Sequence, residues 1–255
     1  MIDSHIHLDA DQYADRDGLI KRARAAGVTA AIVPGVSPES NRRVLELSAD
    51  YPEFVKPALG LHPERPEITE NDIAGTLSML EAQRDSICAV GEVGLPWYGE
   101  TASRPGAQEK AEAVLRRFAR AAADLDLALI LHCPHRTAPR ALAIIRSAGV
   151  RRAVFHWHKS DEATTREIIE AGYFVSLTPE VVYRERDQAL ARFAPLRSLM
   201  VETDGPWPYG GPLQGQATEP AMVARAVAAI ARIKGESNRT VAEATVENTR
   251  LLFGI

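Results

Sequence analysis

Met1-Ile2-Asp3-Ser4-His5-Ile6-His7-Leu8-Asp9 begins with an apolar start that runs straight into His-x-His. If this stretch is extended, side chains alternate with period two and His5 and His7 project to one side. Two imidazoles at that spacing form a chelate for a transition metal. Alone, the same pair also suits a plain surface strand. The rest of the chain decides, because the same grammar recurs: a short apolar run that meets a polar residue, then a stretch of helical character. The runs are 2–5, 28–34, 54–60, 87–92, 128–132, 153–156, 173–177 and 199–204. Most are nearly continuous in apolar residues, as expected for parallel strands covered on both faces.

Between them the sequence predicts helices over 15–26, 38–50, 69–84, 107–124, 138–148, 161–171, 184–193 and 219–234, with a final one over 240–253. Ser37 is a natural N-cap with Pro38 at the first helical position, and Gly27, Gly149, Gly172 and Gly235 follow helical stretches as stop residues. Eight alternations of strand and helix predict a (β/α)8 TIM barrel with an additional C-terminal helix, one domain over 1–255. An open doubly wound sheet is the runner-up, but no Gly-rich dinucleotide loop follows the first strand. The Gly- and Pro-rich stretch 205–217 is long for a barrel loop, and such loops tend to carry function.

Composition narrows the function classes. The net charge of −4 over 255 residues provides no global basic field for nucleic acid, so any polyanion must be recognised locally. Only two cysteines occur, Cys88 and Cys133, both in apolar runs, which predicts buried free thiols in a reducing compartment. No signal pattern and no membrane-length apolar run is apparent, so the expected location is the cytoplasm, with no membrane partner. The basic runs at Lys21-Arg22-Ala23-Arg24, Arg116-Arg117 and Arg151-Arg152 read as solvated faces. Oligomeric state is not legible.

The candidate ligands fall at strand ends. His5 and His7 end the first strand, Glu92 the fourth, His132 the fifth, His156 the sixth and Asp204 the eighth. In a barrel these C-terminal ends share one mouth, where active sites of the fold sit. Any one of them alone suits a hydrogen-bonded structural role or a helix cap. Six converging together are different, because buried charge is costly unless paired or metal-bound. Four His and two carboxylates suit two divalent cations with a carboxylate between them. His-rich mixed N/O sites take Zn, Mn, Fe or Ni; Mg is an atypical occupant of imidazole sites, although it can support assays.

The motifs Ile2-Asp3-Ser4-His5-Ile6-His7-Leu8-Asp9, Gly60-Leu61-His62-Pro63, Gly91-Glu92-Val93-Gly94-Leu95, Leu131-His132, Phe155-His156 and Glu202-Thr203-Asp204 together resemble the TatD family of metal-dependent hydrolases, within the amidohydrolase-like barrels. The resemblance extends over essentially the whole chain, including the tail from Ala226 with Asn248. It implies that His5, His7 and Asp204 hold one metal, His132 and His156 the other, and that Glu92 bridges them. It also implies that Asp204 orients a metal-activated water and accepts its proton. His62 is then a phosphate or substrate contact, or else a His held by its own loop. Glu202 is a hydrogen-bond partner behind the ligands, a substrate-side acid or an inward core acid.

Departures from the family pattern cluster where substrate would be held. Pro96 stands where an acidic residue usually follows Gly-Glu-x-Gly-Leu, and Trp97 and Tyr98 come next. Trp157-His158-Lys159-Ser160 follows Phe155-His156, Cys133-Pro134-His135-Arg136 follows His132, and Gly205-Pro206-Trp207 follows Asp204. His158 and Lys159 are candidate substrate contacts. With His135 and Arg136 they form a local anion site or a set of solvated loop residues. Trp97, Trp157 and Trp207 either stack on rings at the mouth or pack the loops. The expected activity is divalent-metal-dependent phosphodiester cleavage, on nucleic-acid ends or small phosphodiesters. The alternatives are hydrolysis of an amide, lactone or carboxylic ester by the same metals, and a partner-binding subunit with a vestigial site.

Overall fold

Strands β1 (Ile2–Asp3), β2 (Ala30–Pro34), β3 (Val55–Leu59), β4 (Ala89–Gly94), β5 (Ala128–His132), β6 (Ala153–Phe155), β7 (Phe174–Leu177) and β8 (Leu199–Val201) pair side by side in chain order, all parallel. The computed structural model describes residues 1–255. Past the ends of the first and last strands the seam is drawn together by backbone bonds: Ser4 N–H to the Val201 carbonyl (3.0 Å) and Asp204 N–H to the His5 carbonyl (2.8 Å). Asp3 fastens the same seam. Its fully buried carboxylate accepts the Thr203 N–H (2.9 Å) and the Thr203 hydroxyl (2.5 Å). The result is the expected barrel, nearly closed.

Around it run α1 (Arg16–Ala25), α2 (Pro38–Asp50), α3 (Glu70–Ala82), α4 (Gly99–Ser103), α5 (Ala107–Asp124), α6 (Ala138–Ser147), α7 (Glu162–Glu170), α8 (Glu185–Phe193), α9 (Val223–Lys234) and α10 (Asn238–Phe253). Their starts follow local chemistry. The Ser37 hydroxyl accepts the Ser40 N–H at the head of α2. Thr69 and Asp72 form a reciprocal capping box on α3. α10 starts at Asn238, two residues before the expected start, because Ser237 caps it by accepting the Thr240 N–H (3.0 Å). α9 starts at Val223, later than expected, after a single 3₁₀ turn at Pro220–Met222. α4 is absent from the sequence expectation because its five residues bury nothing, so no apolar period marks them.

Strand alternation sorts the core. In β5, Leu129 and Leu131 face the helices, whereas Ile130 faces inward with Ile32, Val154 and Met200. Leu252 and Phe253 of α10 join that inner cluster. His132 and His156 each lie two residues beyond an inward residue, Ile130 and Val154, so the pleat delivers both to the barrel axis. No helix is long and apolar enough to cross a membrane. Cys88 and Cys133 are buried and free, as read from the sequence.

The strands end earlier at the mouth than the apolar runs suggest. β1 stops at Asp3 rather than at residue 5, β6 at Phe155 and β8 at Val201. His5, His156 and Asp204 therefore follow their strands instead of ending them. Here the backbone leaves the ladder and bonds to neighbouring loops: His7 N–H reaches the Gly205 carbonyl at 2.8 Å. β4 does the opposite and continues past Glu92. Its register against β5 shifts between Val90, opposite Leu129, and Val93, opposite Leu131. The extra residue of this bulge lets Glu92 N–H bond the Gly35 carbonyl (3.1 Å) while its side chain meets the axis.

Gly94 closes the bulge against β5. A Cβ there would lie 1.9 Å from the His132 carbonyl oxygen. Gly94→Ala is expected to destabilise the protein by about 1–3 kcal/mol through this backbone clash, measured by urea unfolding; wild-type stability would show that β4 and β5 are not packed as described.

Candidate metal centre

Glu92 stands at the middle of the mouth with 1 % of its side chain exposed, surrounded by imidazoles. Its two oxygens face different partners. Oε1 lies 2.7 Å from His156 Nε2, 3.1 Å from His132 Nδ1 and 3.3 Å from His62 Nε2. Oε2 lies 3.2 Å from His5 Nε2 and 3.5 Å from His7 Nε2. Asp204 Oδ1 completes the second group, 3.5 Å from both His5 Nε2 and His7 Nε2. All six residues read from the sequence as metal ligands therefore converge, in two sets that share one carboxylate. The His5 and His156 rings stack between the sets with centroids 4.0 Å apart.

Within each set the inward ring nitrogens crowd one another. His5 Nε2 and His7 Nε2 are 3.3 Å apart, and His156 Nε2 and His132 Nδ1 are 3.4 Å apart. Glu92 Oε2, although buried, has no hydrogen bond of normal geometry. Converging nitrogen and carboxylate donors with an unsatisfied buried oxygen fit divalent transition-metal ions. The outward nitrogens support this. His7 Nδ1 lies 3.2 Å from the Pro34 carbonyl, His156 Nδ1 3.5 Å from Glu202 Oε1, and His132 Nε2 3.3 Å from Glu64 Oε1. The acceptors behind His7 and His132 favour the tautomer that leaves the inward nitrogen free for a cation, whereas Nδ1 of His5 and of His156 is buried without a hydrogen-bond partner.

His62 is placed differently. Its Nδ1 accepts the Glu64 N–H (3.2 Å), so in the neutral ring the proton sits on Nε2, facing Glu92 Oε1. Burial and the nearby His132 outweigh the pull of Glu92 and hold His62 below its ordinary pKa, which favours that neutral donor.

The other sequence candidates divide. Lys159 reaches the mouth: Nζ lies 3.5 Å from the centre of the Trp157 ring and 3.2 Å from the Tyr98 hydroxyl, and it pairs with no carboxylate. Burial, with the nearby Arg186 charge, lowers its pKa to about 8. Glu202 is fully buried beneath His156, where Oε1 accepts the Trp157 N–H at 2.6 Å; it supports the site from behind and cannot touch substrate. His158 also leaves the substrate list. It is 2 % exposed with Nε2 2.8 Å from the Thr165 hydroxyl, and burial pulls its pKa down to about 3, so it carries no charge for an anion. For Glu202 the reading as a hydrogen-bond partner behind the ligands holds and the substrate contact does not; His158 was misplaced because adjacency in sequence to a mouth residue does not fix which way a side chain turns once the strand has ended.

Trp157 packs against Tyr209, Leu213 and Met222 under the 205–217 loop, so it serves as loop packing. Trp207 is 56 % exposed. Glu64 was not anticipated. It sits in Pro63-Glu64-Arg65-Pro66-Glu67, which reads as a solvated loop, yet its Oε1 also accepts the Trp97 N–H (2.6 Å) and the Tyr98 N–H (2.9 Å). The one available signal was the missing acid at Pro96.

With the geometry in hand, comparison with known proteins is decisive. The family model described as TatD related DNase matches residues 2–254. The chain belongs to the TatD family. A Mycobacterium tuberculosis relative named as the uncharacterised metal-dependent hydrolase TatD is 34 % identical over 270 residues, covering 100 % of this chain and 98 % of that protein. Human deoxyribonuclease TATDN3 is 29 % identical over 261 residues, 99 % of this chain and 94 % of its own length. The Erwinia tasmaniensis 3'-5' ssDNA/RNA exonuclease TatD is 28 % identical over 265 residues, with both chains fully covered. The crystal structure of YjjV, a TatD homologue from Escherichia coli, superposes with a TM-score of 0.91 at 28 % identity, covering 100 % of this chain and 98 % of that one. Membership of the TatD family makes this chain a metal-dependent hydrolase.

Without a cation the TatD site holds protons. Burial lowers the pKa of His7, but the Asp204 hydrogen bond and the charges of Glu92, Asp204 and Asp9 outweigh it and raise it to about 9. His132 and His156 are also raised, because their carboxylate neighbours overcome burial. Metal must displace these protons, so affinity should rise with pH up to about pH 9, where His7 loses its proton, with proton release on binding. Calorimetry in buffers of different ionisation enthalpy measures the release; binding with no proton release would rule out the imidazoles as ligands.

Proposed function

We propose that this protein is a dinuclear phosphodiesterase acting on nucleic-acid ends or small phosphodiesters. The observation that carries the reading is the division of labour at Glu92: Oε2 faces His5 and His7, and Oε1 faces His132 and His156, with His62 beside them. His5, His7 and Asp204 would hold one cation, His132 and His156 the other, and Glu92 both. Zn, Mn, Fe and Ni suit these donors. Divalent cations so held supply Lewis acidity toward water and toward a phosphoryl oxygen.

The chain's own residues do the rest. The Asp204 side chain keeps 13 % exposure, so it reaches the mouth. Burial raises its pKa, but the His7 hydrogen bond and the His156, His5 and His7 charges prevail and keep it below the usual carboxylate range. It is therefore ionised and able to orient water and take its proton. His62 presents an N–H at Nε2 beside Glu92. Lys159 and Arg136 lie on either side of the Trp97–Tyr98 loop, Arg136 stacked 5.1 Å from the Trp97 ring centre, and neither has a carboxylate partner. Two free cations at an otherwise acidic mouth suit a substrate anion. The similarity to proteins named as a deoxyribonuclease and a 3'-5' ssDNA/RNA exonuclease supports a nucleic-acid substrate.

Elemental analysis after reconstitution, paired with hydrolysis of a chromogenic phosphodiester and of single-stranded DNA, tests the reading. About two metals per chain with cleavage of at least one substrate is expected; two metals with activity confined to lactones or amides would refute it. Glu92→Gln should lower bound metal and activity together by at least tenfold (about 1.4 kcal/mol at this temperature).

The Lys159 cation adds a pH signature. Its charge is present below about pH 8 and lost above it, so KM for an anionic substrate should climb through that range. Lys159→Met should raise KM roughly tenfold at neutral pH and flatten the climb. A KM profile unchanged by the substitution would remove Lys159 from the substrate site.

A further inference from the structure

Glu64 is a carboxylate at the mouth that the proposed chemistry does not use, and it is unusually connected. A single oxygen, Oε1, meets the Trp97 N–H at 2.6 Å, the Tyr98 N–H at 2.9 Å and His132 Nε2 at 3.3 Å. Its backbone N–H is spent on His62 Nδ1 at 3.2 Å, and its carbonyl accepts the Thr101 hydroxyl at 3.2 Å. Its other oxygen, Oε2, is buried and has no partner. Burial would raise its pKa, but the His132 contact and the two backbone N–H donors hold it below the usual carboxylate range. The residue thus stays charged in a half-buried place, held there by a metal-site imidazole on one side and a loop on the other.

We propose that Glu64 is the positioning residue for His132 and couples that imidazole to the substrate loop. The carboxylate receives Nε2–H and so leaves the Nδ1 lone pair directed at the space shared with His156 Nε2 and Glu92 Oε1. The same oxygen ties down Trp97 and Tyr98, and Tyr98 in turn carries its hydroxyl to Lys159 Nζ, 3.2 Å away. One oxygen therefore joins the second metal set to the cation that would meet the substrate.

The position follows from the chain's own covalent constraints. Pro96 immediately precedes the loop and has no carboxylate to offer; its carbonyl is occupied by Gln108 Nε2 at 2.6 Å. The acid arrives from the loop after β3, two residues beyond His62. That spacing lets one tight turn set both rings: the Glu64 N–H fixes His62 and the Glu64 carboxylate fixes His132. The rings lie 4.4 Å apart.

The inference rests on His132 and His156 forming a second metal set. Zinc titration in competition with a chromophoric chelator tests it, with Trp97 emission followed in parallel. In the wild type two tight sites are expected. Glu64→Ala should weaken the second site by about 10–100-fold while leaving the first, built by His5, His7 and Asp204, within about twofold. Its Trp97 emission should shift as the loop loosens. Glu64→Gln keeps an acceptor for both loop N–H groups but loses the charge facing His132. It should retain wild-type Trp97 emission and still lose second-site affinity. Two tight sites in the wild type and in both variants would overturn the positioning role alone. Equal weakening of both sites in Glu64→Ala would overturn it too, as the mark of a general loss of structure. A single tight site in the wild type would overturn the dinuclear reading and this inference with it.

Discussion

A carboxylate with 1 % exposure must be matched by positive charge or hydrogen-bond donors, and Glu92 sets that demand on the whole mouth of the barrel. An unmatched ion in such a place costs several kcal/mol. Five imidazoles answer it, two from the end of β1, one each from the ends of β5 and β6, and one from the loop after β3. The β4 bulge exists in the service of this position: it turns Glu92 to the axis while its backbone N–H finds the Gly35 carbonyl. Gly94, against the His132 carbonyl, allows β5 to come near enough for Nδ1 to meet Glu92. Packing, backbone bonding and charge balance are thus solved at one point.

Behind that point the support is built in layers. Pro34 and Glu64 stand behind His7 and His132 as hydrogen-bond acceptors, and Glu202 lies buried 3.5 Å from the outer nitrogen of His156. Asp3 and Thr203 hold the seam, so that His5 and Asp204, nearly two hundred positions apart in sequence, lie across from one another. Below, Ile32, Ile130, Val154 and Met200 fill the barrel, and Leu252 with Phe253 cover its other end. The apolar interior excludes water from beneath the cluster, which strengthens every electrostatic interaction above it.

How much of this was readable depends on which forces were local. The barrel was legible because apolar runs and caps repeat, and Ser37, Thr69 and Gly235 act through neighbours a few residues away. The six converging residues were legible because each interrupts or terminates an apolar run, and the C-terminal ends of barrel strands share one mouth. Orientation became illegible where the ladder stopped. His158 lies two residues past His156, as a strand partner would, but the chain turns at Trp157 (φ +37°) and buries the ring against Thr165. Glu202 was legible as an acid behind the ligands, because it lies two residues before Asp204, and it is buried there on the Trp157 N–H. Glu64 was hidden for a different reason: its partners, Trp97, Tyr98 and His132, lie more than thirty residues away, and nothing in its own segment distinguishes it from Glu67 beside it.

The two halves of the cluster also differ in what must fold before they exist. His132 and His156 come from β5 and β6, neighbours in space and sequence, and Glu92 from the strand beside them. Their nitrogens can be brought together by a partial sheet. His5, His7 and Asp204 meet only when the last strand returns to the first, so their set appears only with the closed ring. The two halves thus make different demands on the barrel: one requires only that the middle strands be paired, and the other that the circle be complete.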